Sequence, residues 1–298
     1  MGGEGRKTDF DIKNAEEFVN NIGIPSHPGV IFKIRAEMKK PQPDKRAIVN
    51  LINQDARLSA GILKVANSSF FGLRDCSVDR AIDELGMNNL YYILLATFMY
   101  NSSIDIKKHV FEKFWAHSML VARVSLQAAK KIDISEEEIY IAGLFHDCAI
   151  PLFMKKYPDY EEIFNFSLST ATSIGETEVE RYKYDHAQIG YIMAKSWRLP
   201  DTVCEAIRHH HTPDIYLIES GQVRKILAAL MLTECIVCYH TINPCNPQAN
   251  PISEMIAKKG CVMKVVTNIN WEHIFMELKI NKDDFYDLQD DVYELINE

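Results

Sequence analysis

Ala142-Gly143-Leu144-Phe145-His146-Asp147-Cys148 is the stretch from which the fold is read. It sets an imidazole and a carboxylate side by side at the end of an apolar run. Burying two such ligand-type side chains is costly unless something pairs with them. Ser135 followed by Glu138 is a capping box that opens the helix ending at the pair. Pro151 ends or redirects that helix. A His-Asp pair at a helix end, flanked by core residues, asks what else points at it.

Working outward, neighbouring helices each carry one polar residue on an apolar stripe. Upstream, Phe111–Lys131 reads as a helix with Phe114, His117, Val121, Val124 and Ala128 on one side. The pair's own helix has Ile139, Gly143 and His146 in register. Downstream, Asp185 caps Ala187–Trp197, where His186, Ile189, Met193 and Trp197 align. Pro200-Asp201 starts Val203–His211, with Val203, Ile207 and then His210 or His211. The long Val223–Tyr239 segment has Leu227, Leu230, Glu234 and Val237 on one stripe. Residues three or four apart share a helix face, so each ligand-type side chain points the same way as its apolar neighbours.

The remaining chain is built the same way. Asp11–Ile22 is a short helix candidate, and Ile24-Pro25-Ser26-His27-Pro28 is a proline-bounded entry to a helix ending near Met38. Asp44 and Asp55 cap two further helices, and Ser68–Arg74 is a turn. Val78–Leu85, Asn88–Met99, Tyr160–Ser167 and Ile174–Tyr182 read as helices. Asn243–Pro251 is a polar loop, and Ile252–Glu298 reads as three helices with a solvated acidic end. No period-two strand pattern, phosphate-cradling glycine loop or internal repeat is visible. The expected class is all-α, a multi-helical bundle. Its expected parts are a disordered lead over 1–10, an N-terminal helical part over 11–108, a core over 109–240 and a helical extension over 241–298.

Bulk composition narrows the function. With 298 residues, 47% hydrophobic and 25% charged, the chain can bury a sizeable core. A net charge of −8 with no basic block gives no nucleic-acid footprint. No apolar run is long enough to span a bilayer, and no secretory leader is visible. Seven cysteines, an odd number lying mostly in apolar runs, suit reduced thiols in a cytoplasm.

One inward histidine would most simply be a hydrogen-bonded core residue. Five helices converging with His117, His146, Asp147, His186, His210, His211 and Glu234 form a candidate metal site. Mixed imidazole and carboxylate ligands suit Fe, Mn or Zn. Cys235-Ile236-Val237-Cys238, with His240 and Cys245, is a weaker zinc pattern because its cysteines lie inside an apolar helix. Cys148 reads as packing, since no separate base accompanies it.

The order His117, His146-Asp147, His186, His210-His211, Glu234 resembles the HD-domain superfamily, whose last ligand is usually Asp. Ile24-Pro25, Leu51-Ile52, Asp55, Val65-Ala66-Asn67-Ser68, Phe71-Gly72, Ala81-Ile82 and Leu85-Gly86 are similar to the HDOD family, the HD-related output domains. So are Asp185-His186-Ala187, Gly190, Trp197, Leu199-Pro200 and His210-His211 followed by Pro213. The resemblance implies an HD-like helical bundle with an N-terminal helical subdomain and a role in bacterial signal transduction. Many members of the family lack parts of the metal set and are non-catalytic. Cys148-Ala149-Ile150-Pro151 stands where active HD enzymes often carry Ile-Gly and then Lys, which removes a phosphate-binding cation. Arg123, Arg181 and Arg208 are the candidate replacements. The expectation is a non-catalytic regulatory module that contacts signalling proteins or a nucleotide second messenger and carries a metal. The alternative is a metal-dependent phosphohydrolase acting on a nucleotide or cyclic dinucleotide.

Overall fold

A computed structural model describes residues 29–66, 77–102, 108–163, 174–242 and 269–297. The expected lead over 1–10, the Asp11–Ile22 helix, the Ser68–Arg74 turn and the Asn243–Pro251 loop lie outside these residues. Every regular element among the described residues is helical. The N-terminal helices are α1 (Gly29–Met38), α2 (Lys45–Asn53), α3 (Ala56–Ala66), α4 (Val78–Leu85) and α5 (Met87–Ser102). The central set is α6 (Lys108–Lys131), α7 (Glu136–Phe145), α8 (Ile150–Lys156), α9 (Ile174–Tyr182), α10 (His186–Ser196), α11 (Asp201–His209) and α12 (Gly221–Ile242). The C-terminal pair is α13 (Trp271–Leu278) and α14 (Lys282–Asn297).

Local sequence sets most of these boundaries. A carboxylate or hydroxyl one residue ahead of a helix accepts an amide that the helix leaves unpaired. The Asp44 carboxylate accepts from Arg46 and Ala47, Asp55 from Arg57, and Asp185 from Gln188 at 2.7 Å. Ser135 Oγ accepts from the Glu138 amide at 3.3 Å. The capping box is re-used rather than closed in the expected way. Glu138 Oε1 instead accepts the Thr202 hydroxyl at 2.5 Å, which ties α7 to the start of α11. Pro151 falls in the first turn of α8, where a missing amide hydrogen costs nothing. The chain therefore turns after His146-Asp147 and starts a new helix.

Helices α1 to α5 pack on one another and reach the central set mainly through α5 on α7. In the centre, α7 lies against α6, α10 against α11, and α12 against α6, α7 and α11. The α6–α7 approach depends on Gly143. A Cβ there would stand 2.9 Å from the Ala122 Cα and 3.0 Å from Ser125 Oγ. Ser125 in turn bonds Thr233 Oγ1 at 3.0 Å, locking α6 to α12. In α14, Phe285, Leu288 and Val292 are buried while Asp283, Asp287, Asp290 and Asp291 face solvent, as the acidic pattern suggests. No helix of the described residues is long and apolar enough to cross a membrane.

Candidate metal centre

The helix ends place the ligand-type residues. His146 is the residue at which α7 stops, and Asp147 lies in the turn after it. His186 is the first residue of α10. His210 is the C-terminal flank of α11, and His211 lies one residue beyond. His117 projects from within α6. The expected Val203–His211 helix stops at His209, so the two histidines share no helical register. That is how both come to face the same point.

Asp147 is the hub. Its Oδ1 lies 3.2 Å from His186 Nε2 and 3.4 Å from His210 Nε2. Its Oδ2 lies 3.2 Å from His146 Nε2. His211 Nε2 is 2.8 Å from His186 Nε2. The His117 ring meets the His146 ring edge to face at 5.8 Å. Two sets of donors result, Asp147 with His186, His210 and His211, and Asp147 with His117 and His146, each set within 4.8 Å. Either set could hold a metal ion, and Asp147 belongs to both. Glu234 is half-buried on α12, and its charge acts on both His117 and His146, but it stands outside both sets.

The unshared nitrogens are already committed. His146 Nδ1 bonds the Gly143 carbonyl at 2.8 Å, and His210 Nδ1 bonds the Ile207 carbonyl at 2.6 Å. His186 Nδ1 bonds Glu178 Oε2 at 2.6 Å. With Nδ1 spent on an acceptor, each ring turns Nε2 to the centre, which is the tautomer control seen in metal sites. His146 Nε2 is buried and makes no hydrogen bond, because its approach to Asp147 is out of line. A buried orphan nitrogen is expensive in a purely structural cluster and natural in one that takes an ion. The residues present therefore fit a transition metal.

Electrostatics agree with a charged pocket. Burial pulls the His146 imidazole down, but Asp147, Glu234 and the Gly143 carbonyl outweigh it and lift it to about 9. Burial likewise opposes the His186 cation, yet Glu178 and Asp147 raise it well above its ordinary value. Burial pushes the Asp147 carboxyl up, and the adjoining imidazoles reverse this and hold it well below the usual range. His117 is lowered by burial and by His146. His211 is lowered much further by burial, His210 and His186.

The secondary candidates resolve differently. Burial and Asp147 push the Cys148 thiol far up, and its Sγ packs 3.9 Å from the Gly190 carbonyl, so it is core. Cys235 is buried within α12, while Cys238, His240 and Cys245 lie outside the described side chains. Arg181 pairs with Asp159 at 3.1 Å, and Arg208 with Glu205 at 3.8 Å beside the Tyr191 ring. Arg123 is half-buried in α6. Glu178 was not singled out from sequence. It shares a stripe with Ile174 and Tyr182 at four-residue spacing, and that register marks it as inward.

A helical bundle in which a His-Asp turn gathers histidines from four helices defines an HD-type protein. The chain belongs to the HDOD family, whose domain model matches residues 24–213, more than half of its length. An uncharacterized protein of Treponema pallidum (strain Nichols) is 27% identical over 195 residues. That match covers 63% of this chain but 37% of the relative, so the chain spans well under half the relative's length. Among solved structures, an inferred phosphohydrolase from Shewanella amazonensis SB2B aligns with a TM-score of 0.64 at 18% identity, over 94% of this chain and 98% of that one. An HDOD domain protein of unknown function from Geobacter sulfurreducens aligns with a TM-score of 0.62 at 20% identity, over 95% and 97%. At these identities the likeness concerns the fold.

Proposed function

We propose that the chain is a regulatory HDOD module of bacterial signal transduction, with a transition-metal ion held by Asp147, His146, His186, His210 and His211, and His117 beside it. Its output is contact with a signalling protein or a nucleotide second messenger rather than hydrolysis. One observation carries this reading. The residues after His146-Asp147, from Cys148 to Phe153, are all buried, and the first cations that follow, Lys155 and Lys156, are exposed at the far end of α8. The turn thus sets an apolar wall where a hydrolase needs a group to hold phosphate. The donor set, borderline nitrogen with one shared carboxylate, suits Fe, Mn or Zn.

The decisive experiment is metal analysis of the purified chain together with a turnover screen of cyclic dinucleotides, nucleotides and phosphomonoesters. The proposal expects bound metal and no turnover. Hydrolysis that disappears in Asp147→Ala overturns it.

A second reading, a metal-dependent phosphohydrolase, is favoured by the convergence of Nε2 atoms on Asp147 and by the name of the Shewanella neighbour. A bound ion would lower the pKa of a water molecule there. His211, half-buried beside His186, would be the group placed to steady a phosphate.

A further inference from the structure

Three imidazoles face Asp147 with Nε2, and each needs an acceptor for Nδ1. Two of them find it at no cost. His146 and His210 sit where α7 and α11 end, and a helix leaves its last carbonyls unpaired. Gly143 O and Ile207 O, each three residues back, are such carbonyls. His186 has no such supply, because it opens α10 rather than closing it. The residue three before it, Lys183, is in the left-handed region at φ 76, outside any helix. A helix start offers unpaired amides, not carbonyls. An acceptor has to come from elsewhere.

Glu178 supplies it. Its side chain is fully buried, and apart from Asp147 it is the one buried carboxylate among the described residues. Oε2 accepts both the His186 amide at 2.8 Å and His186 Nδ1 at 2.6 Å. Oε1 accepts the hydroxyl of Tyr160, itself fully buried. The carboxylate is thus fixed at both oxygens and gripped twice by the residue it orients.

We propose that Glu178 is an outer-sphere positioning residue of the metal centre, with Tyr160 as its anchor. It holds His186 as the Nδ1–H tautomer and makes Nε2 a stronger donor than the carbonyl-backed His146 and His210. The inference rests on the metal reading of the site. Outer-sphere carboxylates of ligating histidines contribute about 10–100-fold to metal affinity.

The test uses the full chain, stripped and reloaded with Co(II), with affinity read by chelator competition. Glu178→Ala should weaken Co(II) by about 10–100-fold, and Glu178→Gln, which keeps an acceptor but loses the charge, by about 10-fold. Tyr160→Phe should fall between Glu178→Gln and wild type. In Glu178→Gln, which keeps an acceptor and the packing of α9, the hyperfine-shifted Nδ1–H resonance of His186 should move while those of His146 and His210 stay in place, a selective change that simple loosening of α9 would not give. Wild-type protein that takes up no Co(II) overturns the metal reading and this role with it. Wild-type protein that binds Co(II) while Glu178→Gln and Tyr160→Phe bind it equally well overturns the Glu178 role alone. The same two variants decide the matter if Glu178→Ala does not fold.

Discussion

Raising the pH should tighten metal binding steeply, and the size of the effect follows from the charges in the pocket. Without an ion, Asp147 and Glu178 are two buried carboxylates, and His146 and His186 are the imidazoles raised to meet them. A divalent ion that displaces both imidazole protons leaves the net charge of the pocket unchanged. Each proton displaced costs 2.303RT times the gap between its pKa and the pH. For His146, at about 9, the cost at pH 7 is on the order of 3 kcal/mol, roughly 100-fold in affinity. His186 adds to it in the same direction. Affinity should therefore rise ~10-fold per displaced proton for each pH unit, and ~100-fold per unit when both leave together. Chelator competition with Mn(II) or Zn(II) at pH 7 and 8 reads the slope. Calorimetry in two buffers of different ionisation enthalpy counts the protons. The stability of the metal-free protein should move the other way. A folded-state pKa above the ordinary 6.5 gives a contribution fully present below pH 6.5 and lost as pH rises through 9, ~3 kcal/mol for His146. The metal-free melting temperature should fall between pH 7 and 10 while the loaded protein holds. An affinity that changes less than about 3-fold per unit, or heats that show no proton release, refutes the charge accounting.

Asp147→Ala should abolish metal binding and cost the metal-free protein ~3–5 kcal/mol in urea denaturation at pH 7, because it strands raised imidazoles. That loss should shrink above pH 9, where wild type has itself given up the pairing with His146. Gly143→Ala should destabilise by ~1–3 kcal/mol from the backbone clash with Ala122, whereas Gly29→Ala, with open space around it, should leave the melting temperature unchanged or raised. Arg35→Ala removes bonds to Tyr91 Oη at 2.9 Å, to the Trp197 carbonyl at 3.0 Å and to the Arg198 carbonyl at 2.9 Å. It should cost ~1–3 kcal/mol by denaturation, and Arg35→Lys should rescue it poorly because an ammonium cannot span the fork.

What could be read from sequence was what local rules decide. Asp44, Asp55, Ser135 and Asp185 announce helix starts because a short polar side chain meets its own backbone amides within three residues. His117, His146, His186 and His210 were legible as inward because apolar neighbours at helical spacing share their face. The end of α11 was not, since His210 and His211 continue an apolar register that the backbone does not follow. Glu138 was read as a local cap, but tertiary packing offered its carboxylate a better donor in Thr202. Glu178 lies among Glu176 and Glu180 on α9 and alone of the three is buried, so its register with Ile174 shows that it points inward but not what it meets. Its partners Tyr160 and His186 lie too far along the chain for periodicity to reveal them.

The helix α10 connects the two halves of the molecule. Its first residue, His186, faces Asp147, and the chain just beyond its last turn supplies the Trp197 and Arg198 carbonyls that Arg35 of α1 grips. Arg198 is held there in the left-handed region at φ 55, so the carbonyl pair is presented by a tight turn rather than by a frayed end. Tyr91 of α5 closes the same joint, bonding the Trp197 carbonyl at 3.0 Å while Arg35 lies over its ring at 4.3 Å. Eleven residues of helix separate the two ends, a rigid span of about 16 Å. The orientation of His186 and the seating of the N-terminal helices are therefore set on one rod. Alongside the packing of α5 on α7, which carries His146, α10 is thus a second element that links the centre to the N-terminal helices.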